Sequence, residues 1–289
     1  MSLIDFYNKY KNLLPWKVWY YIDYASAKKR LPSLCHPKDY SDYIFRDNIL
    51  GRHNKRAYLA DKVAVRKYVE ERGLAQTLTK VFGVWDDARK IDFNELPNGF
   101  ALKCNHSCAT NIICQDKSKL DIPMAVKTLN EWLRMNHPIR FEQHYRKIRP
   151  LIYCEELIPC NEDGSFPTDY KIHCANGEPV FIQCCFERKA GDAGRRVIYD
   201  KEWNNLHYVV NDAHYSDEEF PRPKHLEEML QYAAVLSKGL DYARIDFYDT
   251  DERVIFGEVT LTPMGGWLSY FKQEALDVMG EAIRRNMKK

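Results

Sequence analysis

Alternating apolar and polar residues mark several short strands in the second half of the chain. Residues 243–248 and 255–263 alternate in this way on either side of a short acidic turn. Residues 169–175 and 178–183 do so on either side of the dipeptide Asn-Gly at 176–177. This dipeptide between alternating runs is the strongest short signal for a β-hairpin. The pattern therefore predicts two antiparallel hairpins.

Helical spacing and further apolar runs fill much of the remaining chain. Strands are predicted at 100–104, 111–114 and 151–158, and helices at 61–72, 123–135 and 223–238. Gly73 suits the C-terminal end of the first helix, and Pro123 lies in the first turn of the second. Residues 186–222 are polar without a regular period and are predicted to be a long excursion that carries substrate loops. Helices followed by hairpins with single helices between them predict an α+β fold.

Residues 1–60 differ from the rest because they are rich in aromatic and basic residues, among them Trp16, Trp19 and Lys28. A helix lying in a membrane interface is one interpretation. Pro15 interrupts the segment early, however, and its apolar face is not clean. We therefore interpret 1–60 as an N-terminal segment of helices that pack on the body of the protein, with peripheral membrane contact as the alternative.

Composition excludes some classes of function. The chain has 289 residues, 45% hydrophobic and 29% charged, as in an ordinary soluble globular protein. A formal net charge of +2 gives no indication of a nucleic-acid partner. No stretch approaches the roughly 20 apolar residues of a membrane span, and the N-terminus lacks the residue order of a secretory signal. We therefore expect a cytoplasmic protein without a transmembrane segment.

Nine cysteines raise the question of a metal site or of disulfides. Their number is odd, no Cys-x-x-Cys pair occurs, and most lie in apolar, strand-like runs. Cys104, His106 and Cys108 lie close together, but no second ligand pair with zinc-finger spacing accompanies them. Buried, reduced thiols are therefore expected.

Two carboxylates on the last hairpin are the clearest candidates for chemistry. The midpoint between Asp246 and Glu258 falls inside the turn, so a hairpin makes them cross-strand neighbours on one face. Opposed carboxylates repel unless positive charge lies between them. A solvated hairpin edge neutralised by Arg244 or Arg253 is one explanation. A magnesium site is the other, because hard divalent cations take oxygen ligands.

Alternation decides which side chains accompany this pair. Arg244 and Tyr248 point to the same side as Asp246, and Thr260 and Thr262 to the same side as Glu258. The opposite face of both strands is apolar and is expected to pack on the core. One face of the hairpin thus gathers an arginine, two carboxylates and two hydroxyls, which is typical of a functional site.

Lysines within short strands are the second unusual feature. Lys103 is central in the apolar strand 100–104, where a lysine is costly without a partner. A salt bridge or an edge strand explains it, and contact with phosphate oxygens is the alternative. The following loop, 105–110, consists of small residues whose backbone N–H groups can approach an anion. Lys171 alternates with Asp169, for which an exposed ion pair is the ordinary explanation.

Glu155 and Glu156 precede an apolar pair, Leu157 and Ile158, and resemble a strand that runs into a hinge. Backbone amides and carbonyls at such a hinge could pair with the edge of an adenine, although a solvated acidic strand end explains these residues equally well. The chain has no Gly-x-Gly-x-x-Gly and no Gly-Lys-Ser/Thr motif. A nucleotide would therefore have to be held in another way.

In their order along the chain these motifs resemble the TupA-like ATP-grasp family, which is named for teichuronopeptide synthesis and is found in polysaccharide gene clusters. The motifs are Asp61-Lys-Val-Ala-Val-Arg66, Leu102-Lys-Cys-Asn-His106, Asn111-Ile-Ile-Cys114, Glu155-Glu156, Asp169-Tyr-Lys171, Arg244-Ile-Asp-Phe-Tyr248 and Gly257-Glu-Val-Thr-Leu-Thr-Pro263. Each motif is short, and their ordered succession from about 61 to 266 makes the resemblance specific.

The resemblance implies an ATP-grasp fold, in which two α+β lobes with antiparallel sheets hold ATP between them. The ATP-grasp domain would span 61–289, with the lobe boundary near 157–160. Enzymes of this kind phosphorylate a carboxylate to an acylphosphate, which an amine then attacks to give an amide. The leading hypothesis is therefore an ATP-dependent carboxylate–amine ligase that joins an amino acid or amine to a sugar acid in surface-polysaccharide assembly.

The resemblance also implies roles for residues, with ATP and Mg²⁺ as cofactors. The implied ATP contacts are Lys62 and Lys103 at the phosphates, Glu155, Glu156 and Leu157 around the adenine, Asp169 at the ribose, and Lys171. The implied magnesium ligands are Asp246 and Glu258, with Thr260 nearby. The implied catalytic or substrate-contacting residues are Lys103, Arg244, His106 and Arg188.

Two departures from the family pattern leave details open. Residues 107–110 read Ser-Cys-Ala-Thr where the family usually has glycines, and Thr260 replaces an asparagine. The first leaves open how the loop closes over the phosphates, and the second leaves open whether a second magnesium ion binds. A sugar or polyol kinase with the same nucleotide site is the second hypothesis. A glycosyltransferase or a non-catalytic sugar-binding module is the third, because nucleotide-sugar enzymes also use paired carboxylates around a metal.

Overall fold

The structure is a computed structural model that describes residues 13, 15–135, 141–161, 164–189, 191–210, 212 and 214–287. Its helices are α1 (Trp16–Lys28), α2 (Tyr40–Ile49), α3 (Ala57–Ala60), α4 (Val65–Glu71), α5 (Ile122–Arg134), α6 (Leu226–Ser237) and α7 (Gln273–Asn286). Its strands are β1 (Val81–Trp85), β2 (Phe100–Cys104), β3 (Asn111–Cys114), β4 (Ile152–Glu156), β5 (Asp169–Ala175), β6 (Glu178–Phe186), β7 (Arg195–Tyr199), β8 (Ala243–Asp249) and β9 (Val254–Thr260).

The smaller of two sheets has the strand order β1-β4-β2-β3 and is antiparallel throughout. Its apolar side chains, such as Leu102 and Ile152, form one core with Leu129 of α5. This helix begins after Asp121, whose side chain accepts a hydrogen bond from the backbone N–H of Met124 at 2.9 Å. The sheet and α5 together make one α+β lobe.

The larger sheet has the order β7-β6-β5-β8-β9 and is also antiparallel. Ile245 and Phe247 of β8 are fully buried in the core that includes α6. Because neighbouring residues along a strand point to opposite faces, Arg244 and Asp246 lie on the face away from α6. This sheet therefore has an apolar face and a charged face, as the alternating pattern predicts.

The α+β fold class with antiparallel hairpins is confirmed. The hairpin predicted around Asn-Gly is β5–β6, and both residues of that dipeptide have positive φ. The helix predicted at 61–72 is shorter, because the side chain of Asp61 accepts hydrogen bonds from the backbone N–H groups of Val63 and Ala64. These bonds hold Lys62 in a turn that precedes α4.

Some elements differ from the prediction. The segment 186–222 is not only loops, because β7 lies within it and forms the edge of the larger sheet. The pattern also did not predict β1, which begins at Val81, or the C-terminal helix α7. The carbonyl of His214 accepts a hydrogen bond from the N–H of Arg196 at 2.7 Å, so the chain after β7 folds back along that edge strand.

The described part of the N-terminal segment packs on the body of the protein. Tyr20 of α1 stacks on Phe45, Phe141 and Trp267 with ring-centroid distances of 4.2, 4.2 and 5.0 Å. α2 packs against α7, which follows the larger sheet in the chain. Division of the chain at residue 60 stays a prediction, and residues 1–12 and 14 of that segment lie outside the described residues.

Two expectations from composition can be compared with the structure. Among the described residues, none of the helices has both the length and the apolar character needed to cross a bilayer. All nine cysteines are free and most are buried, as expected for reduced thiols.

Candidate active site

A cavity of about 210 Å³ lies between the two sheets. Charged side chains from both sheets and from the segments beside them line it: Lys62, Lys103, Glu155, Asp169, Lys171, Arg188, Asp246 and Glu258. An adjoining cavity of about 100 Å³ is lined by Leu157 and by other apolar residues such as Ile113 and Phe166. Lys103 and Arg188 border both. A charged chamber therefore meets a smaller chamber that has apolar residues along part of its wall, here called the apolar chamber.

The carboxylate pair lies where the sequence places it. Asp246 and Glu258 are directly opposite each other on β8 and β9. Arg244 relieves their repulsion, because its Nη2 lies 2.6 Å from Oδ2 of Asp246 and 3.1 Å from Oε1 of Glu258. Gly257 is left out of the ladder at a bulge, and a Cβ there would lie 3.0 Å from the carbonyl oxygen of Asp246. The strands can approach this closely because that residue is glycine.

Of the two arginines that could neutralise the pair, only Arg244 does so. Arg253 points away and donates hydrogen bonds to the carbonyls of Gln76 and Leu78 at 2.7 and 3.2 Å. The side chains of Arg244 and Asp246 are only 11% and 2% exposed. Arg244 and Asp246 are therefore shielded from water, unlike residues of a solvated hairpin edge, whereas the side chain of Glu258 is 32% exposed.

The donor set of this hairpin fits a magnesium ion. Oxygens of Asp246, Glu258 and Thr260 all lie within 3.1 Å of Nη2 of Arg244, so three hard oxygen donors converge on one positive group. Within the described residues, no three His, Cys, Asp or Glu side chains form a group that could hold a metal ion by themselves. Mg²⁺ held here would complete its ligands with phosphate oxygens and water, and it would neutralise phosphate charge.

Lys171 links this hairpin to the rest of the charged face. Its Nζ lies 2.8 Å from Oδ2 of Asp169 and 2.7 Å from Oδ2 of Asp246. The side chains of Lys171 and Asp169 are only 15% and 7% exposed, so the exposed ion pair expected from the sequence is in fact buried. Arg188 also contacts Asp169, at 3.1 Å. Burial opposes ionisation, but Lys171 and Arg188 hold the pKa of Asp169 below its ordinary value.

Electrostatics keep Glu258 ionised. Burial alone would raise the pKa of this carboxyl, but Lys62, Arg244 and Lys171 together hold it well below its ordinary value. The Nζ of Lys62 lies 3.4 Å from Oε2 of Glu258. The carboxylate therefore carries its negative charge at neutral pH, as a magnesium ligand requires.

Lys103 has the partner that its central position in a strand demands. Its Nζ lies 2.6 Å from Oε1 of Glu155 on β4, which pairs with β2. Thr79 donates a hydrogen bond to the other oxygen of Glu155 at 2.5 Å. Burial opposes the charge of Lys103, but Glu155 holds its pKa above the ordinary value. The ammonium group is thus charged and held at the wall of the cavity.

The two adjacent glutamates point in opposite directions. Glu155 faces the cavity and binds Lys103, whereas the side chain of Glu156 is 47% exposed and lies 3.4 Å from Arg253. The residues 156–158 nevertheless line the apolar chamber. The adenine roles of Glu155, Glu156 and Leu157 stay predictions.

Lys62 ties the loop 105–110 to the opposite lobe. Its Nζ donates to the carbonyl of Ser107 at 2.7 Å and also pairs with Glu258. Asn105 anchors the start of the loop, because its amide donates to Asp61 at 2.9 Å and accepts from the N–H of Leu151 at 2.8 Å. The loop is therefore ordered without glycine, although Ala109 adopts a positive φ of 56°.

The other two predicted site residues, His106 and Arg188, differ in their position relative to the cavities. His106 is buried at the start of the same loop and lines neither cavity. Its predicted contact with substrate stays a prediction. Arg188, by contrast, lines both cavities and donates to the carbonyl of Pro167 at 3.1 Å.

Two residues near the site carry no signal in the sequence. Thr79 lies in a connection before β1 and reaches Glu155 only because β1 and β4 are neighbours. Glu142 is an isolated acid after α5 whose side chain accepts a hydrogen bond from Thr262. Both contacts join segments far apart in the chain, so no local pattern reveals them.

A family model described as TupA-like ATPgrasp matches residues 43–284, which is most of the chain. The chain belongs to the TupA-like ATP-grasp family. The family resemblance and the ATP-grasp fold predicted from the motifs are confirmed. This protein is therefore an ATP-grasp enzyme. The match begins at residue 43, within the predicted N-terminal segment.

Several solved structures resemble this ATP-grasp chain at low identity. D-alanine–D-alanine ligase from Bacillus anthracis complexed with ATP is 15% identical over 80% of this chain and 67% of that one, with a TM-score of 0.46. L-amino acid ligase from Bacillus licheniformis is 12% identical over 86% and 55%, with a TM-score of 0.49. The ATP-grasp ligase PsnB, complexed with a phosphomimetic variant of its minimal precursor, Mg and ADP, is 13% identical over 86% and 66%, with a TM-score of 0.44.

The chain covers only part of the solved structures that it resembles. The chain spans between 55% and 67% of the length of these three solved structures. No curated protein matches it. The family assignment therefore rests on the family match alone, and the substrates are a separate question.

Proposed function

We propose that the cleft between the two sheets binds ATP with Mg²⁺ and activates a carboxylate for attack by an amine. The observation that carries this proposal is the row of opposite charges across β5, β8 and β9, formed by Lys171, Asp246 and Glu258 on one face of the sheet. Lys103 and Lys62 face this row from the other side of the cavity. Lysines opposite paired carboxylates suit a triphosphate with its metal.

The roles of the residues follow from where their charges lie. Lys103 and Lys62 would contact phosphate oxygens, and the apolar chamber beside Leu157 would take the adenine. Asp246 and Glu258 would hold Mg²⁺, with Thr260 beside it. Arg244 is already centred between the carboxylates and would stabilise negative charge on the transferring phosphoryl group. The metal would neutralise phosphate charge.

We propose that the carboxylate belongs to a sugar acid and that the amine is an amino acid or a related amine. The support is the family's association with teichuronopeptide and polysaccharide synthesis, together with cationic Arg188 beside the charged chamber. The terminal phosphoryl group of ATP would pass to the carboxylate to give an acylphosphate and ADP. Attack of the amine on the acyl carbon then forms the amide and releases phosphate.

Hydroxylamine trapping tests this proposal. The full chain is incubated with ATP, Mg²⁺ and D-glucuronate or UDP-glucuronate, and hydroxylamine replaces the amine. Formation of a hydroxamate together with equal amounts of ADP and phosphate is expected for the ligase. A stable phosphorylated sugar without free phosphate would establish the kinase alternative instead. Binding of UDP-glucuronate without binding of ATP would favour a glycosyltransferase.

We further propose that the protein works in the cytoplasm, at the membrane surface. Support comes from the outer side of α1, where Val18 and Ile22 are 40% and 37% exposed and Lys17 and Lys29 are exposed beside them. The single acidic residue of α1, Asp23, is buried on the opposite side. Apolar and basic residues together suit an anionic lipid surface. Sedimentation with phosphatidylglycerol vesicles tests this, and equal binding to phosphatidylcholine vesicles would contradict it.

A further inference from the structure

A buried carboxyl group that forms no ion pair within the described residues lies beside the site. The side chain of Glu142 accepts a hydrogen bond from the hydroxyl of Thr262, which is itself fully buried. Glu142 as a whole is only 8% exposed. Thr262 follows β9 and is two residues beyond Thr260, so this hydrogen bond places Glu142 at the end of the hairpin that carries the proposed magnesium ligands.

The neighbourhood of Glu142 is electrostatically unusual. No ion pair joins its carboxylate to a Lys, Arg or His side chain within the described residues. The titratable and charged groups that interact with it through space are Tyr20, Cys108, Tyr145, Arg244 and Glu258. Of these, Cys108 and Glu258 line the charged cavity. Burial raises the pKa of Glu142 to about 7, although the bond from Thr262 opposes this rise.

A purely structural role explains Glu142 poorly. A buried ionisable group is costly unless a partner compensates it, and Thr262 offers a single neutral hydroxyl. Within the described residues no cation forms an ion pair with Glu142, but the proposed reaction supplies one, because an amine substrate arrives at neutral pH as an ammonium ion. An ammonium group would compensate the carboxylate and would have to lose a proton before it attacks.

We propose that Glu142 binds the ammonium group of the amine substrate and takes its proton. This assignment rests on the proposed ligase function. One N–H bond of the ammonium breaks and its proton passes to a carboxylate oxygen of Glu142, which leaves a neutral amine with a free electron pair. That pair forms the C–N bond at the acylphosphate carbon while the bond from that carbon to the phosphate oxygen breaks. Phosphate leaves with the electrons of that bond and takes up the second proton, which the nitrogen loses as it becomes an amide.

Comparison of two nucleophiles tests the proposal. Hydroxylamine is largely a neutral base at pH 7 and needs no deprotonation, whereas an amino acid does. Full-length wild type and Glu142→Gln are assayed with ATP, Mg²⁺, UDP-glucuronate or D-glucuronate, and either hydroxylamine or a panel of amino acids. General-base catalysis contributes about 10²–10⁴-fold. We expect Glu142→Gln to lose at least about 10²-fold with the amino acid and to keep its rate with hydroxylamine.

The pH dependence and a matched variant separate the proposal from a structural role. The amino-acid rate of Glu142→Gln should recover as pH rises, because more of the amine is then already neutral. Glutamine keeps an oxygen that accepts from Thr262, so the melting temperature should not fall. Glu274→Gln removes an exposed glutamate of α7 and should leave both rates unchanged.

Three results would overturn the proposal. An equal loss with both nucleophiles would show that Glu142 serves phosphoryl transfer or folding instead of the amine. Unchanged rates with both would show that it has no part in the reaction. Absence of any product from wild type with either nucleophile would overturn the proposed ligase function, and the amine site with it, so the two failures are distinguishable.

Discussion

Replacement of Glu155 by glutamine distinguishes its role as the ion-pair partner of Lys103 from its predicted role at the adenine. Its carboxylate contacts the Nζ of Lys103 at 2.6 Å and Thr79 at 2.5 Å, and neither partner is a nucleotide. The side chains of Lys103 and Glu155 are 23% and 10% exposed, so the pair is largely shielded from water. Glu155→Gln would leave the ammonium group without its counter-charge. We therefore expect the variant to lose stability before any ligand is added.

The size of this loss follows from the burial of the pair. Removal of one partner from a buried ion pair costs about 3–5 kcal/mol. Because the pair is partly exposed, we take the lower end, about 3 kcal/mol. A chain of this size loses roughly 2–4 °C of melting temperature per kcal/mol. The expected fall in melting temperature is therefore about 6–12 °C.

The neighbouring Glu156 is a matched control. Its side chain is 47% exposed, and its contact with Arg253 is 3.4 Å long. Exposed pairs of this kind contribute about 0–1 kcal/mol. Glu156→Gln should therefore melt within about 4 °C of wild type.

Thermal melts of both variants with and without ATP and Mg²⁺ complete the test. Phosphate oxygens should replace the lost carboxylate as the partner of Lys103, so ATP should raise the melting temperature of Glu155→Gln more than that of wild type. An unchanged melting temperature without ligand, combined with loss of the ATP response, would refute this reasoning. That result would place Glu155 on the nucleotide itself.

Two further predictions concern charge. Arg244→Lys removes the contacts of the guanidinium with Asp246 at 2.6 and 2.7 Å. Turnover measured by phosphate release should therefore fall at least about 10²-fold, while the ATP-induced rise in melting temperature persists. Loss of that rise would show instead that Arg244 serves ATP binding. Burial lowers the pKa of His53 to about 4 and that of His144 to about 3. Between these values and the unfolded-state pKa of about 6.5, the two histidines are neutral in the folded protein but take up protons in the unfolded chain. Their contribution to the free energy of unfolding is therefore complete above about pH 6.5 and falls by about 2 kcal/mol per histidine at pH 5. Urea unfolding at pH 7.5 and 5 measures this loss, and His144→Phe should halve it; an equal loss in that variant would contradict the assignment.

The carboxylate pair could be predicted because a hairpin is a local structure. The turn fixes the register, and alternation fixes the face, so Asp246 and Glu258 follow from the sequence alone. Alternation also requires Glu155 and Glu156 to point in opposite directions, but it does not decide which of them faces the cavity. That choice depends on the pairing of β4 with β2, which brings Lys103 beside Glu155.

Contacts between segments distant in the chain could not be predicted from the sequence pattern. Lys62 meets Glu258, and Glu142 meets Thr262, because the two lobes close on each other. β7 was missed because it is a five-residue edge strand that begins with two arginines and lies in a polar region. Regularity within one element could be read from the sequence, whereas the long-range pairing of single polar side chains could not.

Whether the cleft binds ATP through the carboxylate pair is the central question. The most direct measurement is the ATP-induced rise in melting temperature of wild type, Asp246→Asn and Asp251→Asn, each with and without Mg²⁺ and beside UDP-glucuronate. Asp251 lies exposed in the turn of the same hairpin and is the matched control. Saturation to 100 times the dissociation constant stabilises by about 2.7 kcal/mol.

We predict a magnesium-dependent rise with ATP in wild type and Asp251→Asn and no such rise in Asp246→Asn. The rise is compared within each variant, because Lys171 and Arg244 lose a partner in Asp246→Asn and its starting melting temperature will be lower. A full ATP response in Asp246→Asn would contradict the magnesium assignment. No response of wild type to ATP, with a clear response to UDP-glucuronate, would contradict the account as a whole.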